Sequence, residues 1–292
     1  MINYEDLRQR LLEIEEVVSS DVTGRGLVNA YIPGEIEKSA NELMKSERVV
    51  ILTGFCIPDK LIGETDGPPG AASLAYCLEK LNKDVILITD KYSKELLEAC
   101  ANVLEIKAKI IEVPFIDSDK FCVKIIEEIE PTHIIAIERP GKAVDGKNYN
   151  MKGIDISEFV ASTDAFFCEA KNRNVKTIAI GDGGNELGMG KLRQRIHELV
   201  KDGEKICANS SADYVITVPI SNWGGYALGA ALEAVAEADL LQTENLEILM
   251  YEQMKIAGAV DGVTKNNVMT VDGVSMEKNL EILKALNKIR NK

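Results

Sequence analysis

VVILTGFCIPDKLIGETDGPPGAASLAYCLEKL, running from Val49 to Leu81, decides how the rest of the chain reads. Its first residues, VVILTG, form an uninterrupted apolar run of strand length, as expected for a strand covered on both faces. AASLAYCLEKL then repeats its apolar residues at about three and four, the period of a helix packed on one side. Between them, GETDGPPGA (Gly63–Ala71) holds Glu64, Asp66, two prolines and three glycines. Pro68 and Pro69 stiffen the approach to a helix starting near Gly70. Asp66 is accounted for as a carboxylate at the positive end of that helix dipole. Glu64 is not required for a cap. The loop is thus either an acidic helix entry or one wall of a site for an ammonium group or a divalent cation.

Outward from this unit, the same alternation recurs. VILITD at Val85, AKIIEVPF at Ala108, HIIAIERP at His133, TIAIGDGG at Thr177 and YVITVPIS at Tyr214 read as strands. SKELLEACANVL, SDKFCVKIIEEI, SEFVASTDAFFCEA and GKLRQRIHELV read as the intervening helices. Apolar strands alternating with helices require crossover connections and a parallel sheet covered on both faces. The expected fold is therefore α/β: a three-layer αβα sandwich with a mostly parallel, Rossmann-like sheet and extra N- and C-terminal helices. No linker divides the 292 residues, so 1–292 is expected to be one unit. Within it, 1–46 is a helical extension opening with a helix over 2–18, 47–240 is the βα core, and 241–292 holds C-terminal helices and a loop.

Ligands of such sheets bind outside the carboxyl ends of the strands. The unusual loops fall there repeatedly, whereas the exits TDKYS and PFIDS look like ordinary turns and caps. ERPGKAVDGKNYNMKG follows the fourth strand with Glu138, Arg139, Lys142 and Asp145. Arginine and lysine offer a fork and a point charge for an anion, and the carboxylates are candidate proton acceptors. A long solvated loop of mixed charge is the alternative. GDGGNELGMG follows the fifth strand with Asp182, Gly183, Gly184, Asn185 and Glu186. Its glycines let backbone N–H groups approach an anion, but the match to a dinucleotide fingerprint is imperfect. SNWGGY follows the sixth, with Asn222 as a candidate cap. DVTGRGL with Arg25, DGVTKNN (Asp261–Asn267) and VDG (Val271–Gly273) are weaker turn-like segments, the last two a hairpin or loop pair.

Charge narrows the function. Acidic residues outnumber basic ones 47 to 34, a formal net charge of −13, which argues against nucleic acid and anionic membrane as partners. No apolar run is long enough to span a bilayer, and MINYEDLRQRLLEIEEVV has neither signal nor transit character, so a cytoplasmic location is expected. The six cysteines lack zinc or disulfide spacing, and only Cys56 merits testing as a nucleophile. Two histidines without metal-ligand spacing leave proton transfer to carboxylates, lysine or tyrosine.

Taken together, TGFCIP, ETDGPPGA, AIERPGKAVDGKNYNMKG, IGDGGNELGMGK and SNWGGYAL resemble the D-glutamate cyclase family, in fixed order from about Asp21 to Gly273. The resemblance implies a hydro-lyase converting D-glutamate to 5-oxo-D-proline with loss of water. That chemistry must deprotonate an ammonium, quench a carboxylate and protonate a leaving oxygen. On those demands, Glu138, Asp145 and Asp182 are the expected catalytic residues. Arg139, Lys142, Gly183 and Gly184 would bind substrate carboxylates, with Glu64, Asp66, Asn185 and Asn222 also lining the substrate. No cofactor is certain; a divalent cation, Mg²⁺, would suit Asp182 and Glu186. The partner expected is a small amino acid, and an oligomer stays open. A metal-dependent phosphoryl-transfer enzyme and a non-catalytic small-molecule sensor are the competing readings.

Overall fold

In a computed structural model describing residues 3–289, six strands form one sheet. They are β1 (Arg48–Thr53), β2 (Asp84–Thr89), β3 (Lys109–Glu112), β4 (His133–Ile137), β5 (Lys176–Gly181) and β6 (Tyr214–Thr217). Their order is β3-β2-β1-β4-β5-β6, and every neighbouring pair is parallel. Val49 lies beside Val85 on one side and His133 on the other.

Period-two alternation splits each apolar run between two cores. Val49 and Ile51 join Ile135, Ile137, Ile178 and Ile180 on one face. There they meet α1 (Tyr4–Val17), α2 (Glu35–Met44), α3 (Pro68–Lys80), α9 (Ser221–Ala236) and α11 (Met276–Ile289). Val50, Leu52, Ile134 and Ala136 face the other way, toward α5 (Ser118–Ile129), α6 (Asp164–Arg173), α7 (Arg193–Leu199) and α8 (Gly203–Ile206). Burying each such aliphatic side chain contributes about 1.5–3 kcal/mol. The three layers follow directly. α4 (Lys94–Val103) and α10 (Glu244–Ile256) pack together at one flank. Residue 2, expected to open the first helix, lies outside the described residues.

One expected helix is broken. SEFVASTDAFFCEA gives a 3₁₀ turn at Ser157–Phe159, then extended backbone at Val160, with α6 beginning only at Asp164. The interruption has a cause: the buried Arg139 guanidinium takes the Ala161 carbonyl and donates to Thr163 Oγ1, so these groups serve a side chain instead of a helix.

The helix after β1 lies on one face and the helix after β4 on the other. The crevice between β1 and β4 is therefore the topological switch point, where open α/β sheets bind ligands. α9 reaches this edge with its first turn, and it is buried nearly throughout. α3 and α9 approach each other at glycines: a Cβ on Gly225 would come 2.6 Å from the Gly70 carbonyl oxygen. No helix among the described residues is long and apolar enough to cross a membrane.

Candidate active site

Three carboxylates from three different strand exits converge at the switch point. Asp66 ends the loop after β1, Glu138 directly follows β4, and Asp182 directly follows β5. Each offers an oxygen within 4.8 Å of the others, and the residues are 1%, 5% and 2% exposed. Glu138 holds a left-handed φ of 45°, uncommon outside glycine. Its carbonyl accepts from Gly54 N at 3.1 Å, which pins the turn.

The first turn of α9 organises two of the three. Ser221 N and Asn222 N each donate to Asp66 at 2.8 Å, so Asp66 occupies the anion position of a helix N-terminus. Ser221 Oγ donates to Glu138 Oε2 at 2.5 Å. Asp182 Oδ2 accepts from Arg25 Nη1, and Arg25 Nη2 reaches Asp272 Oδ1 at 2.7 Å. These bonds engage Glu138 Oε2 and Asp182 Oδ2, leaving the second oxygen of each for a ligand.

A cover formed by segments outside the sheet closes over these groups. Thr65 N donates to the Val260 carbonyl at 3.0 Å, and Thr65 Oγ1 to the Thr270 carbonyl at 2.8 Å. Asp261 shapes the cover, accepting from Val263 N, Thr264 N, Thr270 Oγ1 and Gly273 N. Gly262 lies against Glu64, where a Cβ would fall 1.8 Å from Glu64 Oε2. The Asp272–Gly273 turn joins Thr270–Val271 to Val274–Ser275 as a short antiparallel hairpin.

Five carboxylates (Glu64, Asp66, Glu138, Asp182, Asp272) thus gather around one guanidinium, five negative charges against one positive if all ionise. Burial pushes the Glu138 carboxyl well above its ordinary range, and Glu186, Asp66 and Glu64 add to this. Burial likewise raises Asp182 strongly, opposed by Arg25 and reinforced by Glu138. Glu64 rises through burial and the charges of Asp272 and Asp66. Asp66 is pushed up to about 7, burial and Asp272 outweighing its bonds from α9. Burial opposes the charge on Arg25, but Asp182 and Asp272 hold it protonated. Burial and mutual repulsion thus favour the protonated form of Glu64, Asp66, Glu138 and Asp182, and a cation held among them would relieve that repulsion.

The other expected residues lie in different settings. Arg139 is fully buried, paired with Asp90 at 2.7 Å and bonded to Gly54, Ala161 and Thr163, all parts of the scaffold. Lys142 pairs with Asp119 at 3.0 Å. Asp145 is exposed and bonded within its own loop, to Tyr149 OH at 2.5 Å and Lys147 N at 3.1 Å. Glu186 Oε1 accepts from Asp182 N and Gly183 N, and Oε2 from Gly184 N. The anion cradled by the glycine loop is thus the protein's own carboxylate. Asn185 Nδ2 donates to the Tyr149 carbonyl at 2.7 Å. Asn222 Oδ1 accepts from Gly67 N and Gly70 N, while Nδ2 serves Thr65 O and Tyr251 OH, so its amide clamps the GETDG turn. The Cys56 thiol is pushed up to about 12 by burial and by Asp90 and Glu64, which opposes a nucleophilic thiolate.

Sequence reasoning passed over Asp272 and Ser221 and left Arg25 in a turn without a role. The available signal was a charged or hydroxyl residue in a glycine-bearing turn, too common to single out. Asp66, Glu138 and Asp182 form an all-oxygen donor set that fits a hard divalent cation such as Mg²⁺.

Residues 14–287 match the family model described as D-glutamate cyclase-like, C-terminal. Over 238 residues the chain is 32% identical to the mitochondrial D-glutamate cyclase of Homo sapiens, covering 77% of this chain. It spans 39% of that relative's length.

Proposed function

The chain belongs to the D-glutamate cyclase-like family, and from that premise we propose that it converts D-glutamate to 5-oxo-D-proline and water. In the reaction a C–N bond forms between the amine nitrogen and the side-chain carboxyl carbon, and a C–O bond of that carboxyl breaks. The ammonium gives up two protons, and the leaving oxygen takes up two to depart as water. A catalyst must therefore accept protons from nitrogen and return protons to oxygen a few ångströms away.

The observation that carries this reading is the buried trio Asp66, Glu138 and Asp182, mutually within 4.8 Å and inclined to hold protons. An ionised member would take a proton from the ammonium, and a protonated neighbour would supply one to the leaving oxygen. Glu138 suits the shuttle best, because the Ser221 hydroxyl holds one of its oxygens and leaves the other for substrate. The ammonium would be drawn in by the cluster's negative charge. Arg25, with its side chain 18% exposed and its partners both acidic, would exchange one of them for a substrate carboxylate. If a divalent cation takes part, Asp66, Glu138 and Asp182 would hold it, and it would supply Lewis-acid polarisation of the side-chain carboxyl. Entry of substrate would require the 258–275 cover to lift from Glu64 and Thr65.

Chiral chromatography of the purified protein with D- and L-glutamate, with and without Mg²⁺, tests the proposal. Formation of 5-oxo-D-proline well above the uncatalysed rate, with L-glutamate slower, is expected. Equal background rates for both enantiomers in every condition would end the cyclase reading.

A further inference from the structure

Asp272 reaches the acidic cluster from the tip of a hairpin. Val271 pairs with Val274 and Thr270 with Ser275, so Asp272 and Gly273 alone make the connection. Their φ angles are 52° and 78°, both left-handed, as a two-residue hairpin turn requires. Asp-Gly is a favoured pair for that turn, but loop tips normally lie at the surface. Here the Asp272 side chain is only 2% exposed and ends among other carboxylates. Val271, fully buried in the same core as Leu283 of α11, anchors the hairpin behind it.

One ion pair holds the Asp272 carboxylate in place. Oδ1 accepts from Arg25 Nη2 at 2.7 Å, and Oδ2 is buried with no hydrogen-bond partner. A Cβ on Gly262 would meet Glu64 Oε2 and lie 3.3 Å from Asp272 Oδ1, so two carboxylates share that glycine's empty side. A buried oxygen left unpaired among like charges is unfavourable. The turn does not require it, since asparagine or glycine at 272 would adopt the same backbone.

Arg25 divides its two ends between a fixed partner and a movable one. Gly24 and Gly26, with φ of 70° and 88°, turn the chain on either side of it. Nη1 pairs with Asp182, directly after β5, and Nη2 with the hairpin tip. A guanidinium holds a carboxylate as the anion. On the cyclase reading that suits the α-carboxylate, which does not react, whereas the side-chain carboxyl must lose its charge before an oxygen can leave.

We propose that Asp272 is a resident stand-in for the α-carboxylate of an amino-acid substrate. In the closed site it occupies Arg25 Nη2. When substrate binds, the α-carboxylate takes that nitrogen, and the Asp272 side chain turns aside so that its unpaired oxygen reaches water. Asp182 keeps Nη1, which seats the α-ammonium beside Asp66, Glu138 and Asp182. The inference rests on the amino-acid reading of the site and adds a competitor that the protein itself supplies.

Calorimetric titration of the full chain with D-norvaline tests this without turnover. That amino acid carries the α-carboxylate and α-ammonium but has no side-chain carboxyl to cyclise. Asp272→Asn keeps the turn, because Asn-Gly suits the same hairpin, and leaves only a neutral competitor on Arg25. Its Kd should be about tenfold lower than the parent's, the difference between a charged and a neutral hydrogen bond. Asp272→Gly removes the competitor and should bind at least as tightly; if one variant fails to fold, the other decides. Equal or weaker binding to either folded variant, or no binding to any of the three proteins, would overturn the proposal. A side chain that served the ammonium would give weaker binding, and one that served only the fold would give no change. With D-glutamate, KM should fall by about tenfold in both variants. The two readings fail separately. Tighter D-norvaline binding with no 5-oxo-D-proline from any of the proteins would end the cyclase reading alone. Turnover with KM unchanged or raised would overturn the stand-in alone.

Discussion

Arg25 and Arg139 both bring a guanidinium to the carboxyl edge of the sheet, and they do opposite things there. Arg139 has no exposed surface and spends its donors on Asp90, two backbone carbonyls and Thr163. Arg25 comes from a turn outside the sheet and touches only carboxylates of the acidic cluster, Asp182 and Asp272. The first ties loops to one another and commits four of its five N–H donors to the scaffold. The second can trade partners. An arginine following a strand looks more functional in sequence than one in an N-terminal turn, yet the environment reverses the order.

The sharpest way to break this contrast is Arg139→Ala. Removing the cation strands Asp90 in the interior, which should cost about 3–5 kcal/mol, read as a large drop in Tm or as failure to fold. An Arg139→Ala protein with the parent's Tm would make the pair dispensable. Arg25→Gln should lower Tm less than Arg139→Ala does, because Asp182 takes up a proton more readily than its ordinary range allows, and should lower kcat/KM by about 10- to 100-fold, the worth of charged hydrogen bonds to substrate. Full activity in that variant would remove Arg25 from the site.

The acidic cluster also sets a pH dependence with a definite sign. Glu64, Asp66, Glu138 and Asp182 all bind protons more tightly folded than unfolded. Their contribution to stability is complete below about pH 4 and is lost as pH rises, for Asp66 through about 7. Tm in metal-free buffer should therefore fall between pH 6 and pH 8. Millimolar Mg²⁺ should restore it at pH 8 and do little at pH 5, where protons compete for the same oxygens. A Tm that climbs from pH 6 to pH 8 without a cation would contradict the assignment. The smallest effect belongs to the mixed-charge loop: Lys142→Ala and Asp145→Asn should each change kcat/KM by less than about twofold, as surface pairs usually do.

How far the sequence carries differs between fold and site for a physical reason. Apolar period and βα alternation are local, so all six strands and the layering follow from residues a few positions apart. The order β3-β2-β1-β4-β5-β6 is a tertiary fact, but the rule that ligands sit at strand exits does not depend on it. It singled out Glu64, Asp66, Glu138 and Asp182, which the fold gathers. Arg25 meets Asp182 across 157 residues and Asp66 meets Ser221 across 155, and no local pattern encodes such meetings. The exit TDKYS reads as a plain turn because the partner of Asp90 lies 49 residues away at Arg139. The glycine loop misled differently: its N–H groups do bind an anion, but Glu186 supplies it from within.

The role of the carboxylate trio is tested most directly by Glu138→Gln, which keeps shape and the Ser221 contact while removing the proton exchange. With D-glutamate as substrate, production of 5-oxo-D-proline followed by chiral chromatography should fall at least about 100-fold while Tm stays near the parent's or rises. A Glu138→Gln enzyme that cyclises D-glutamate at the parent's rate would contradict the account.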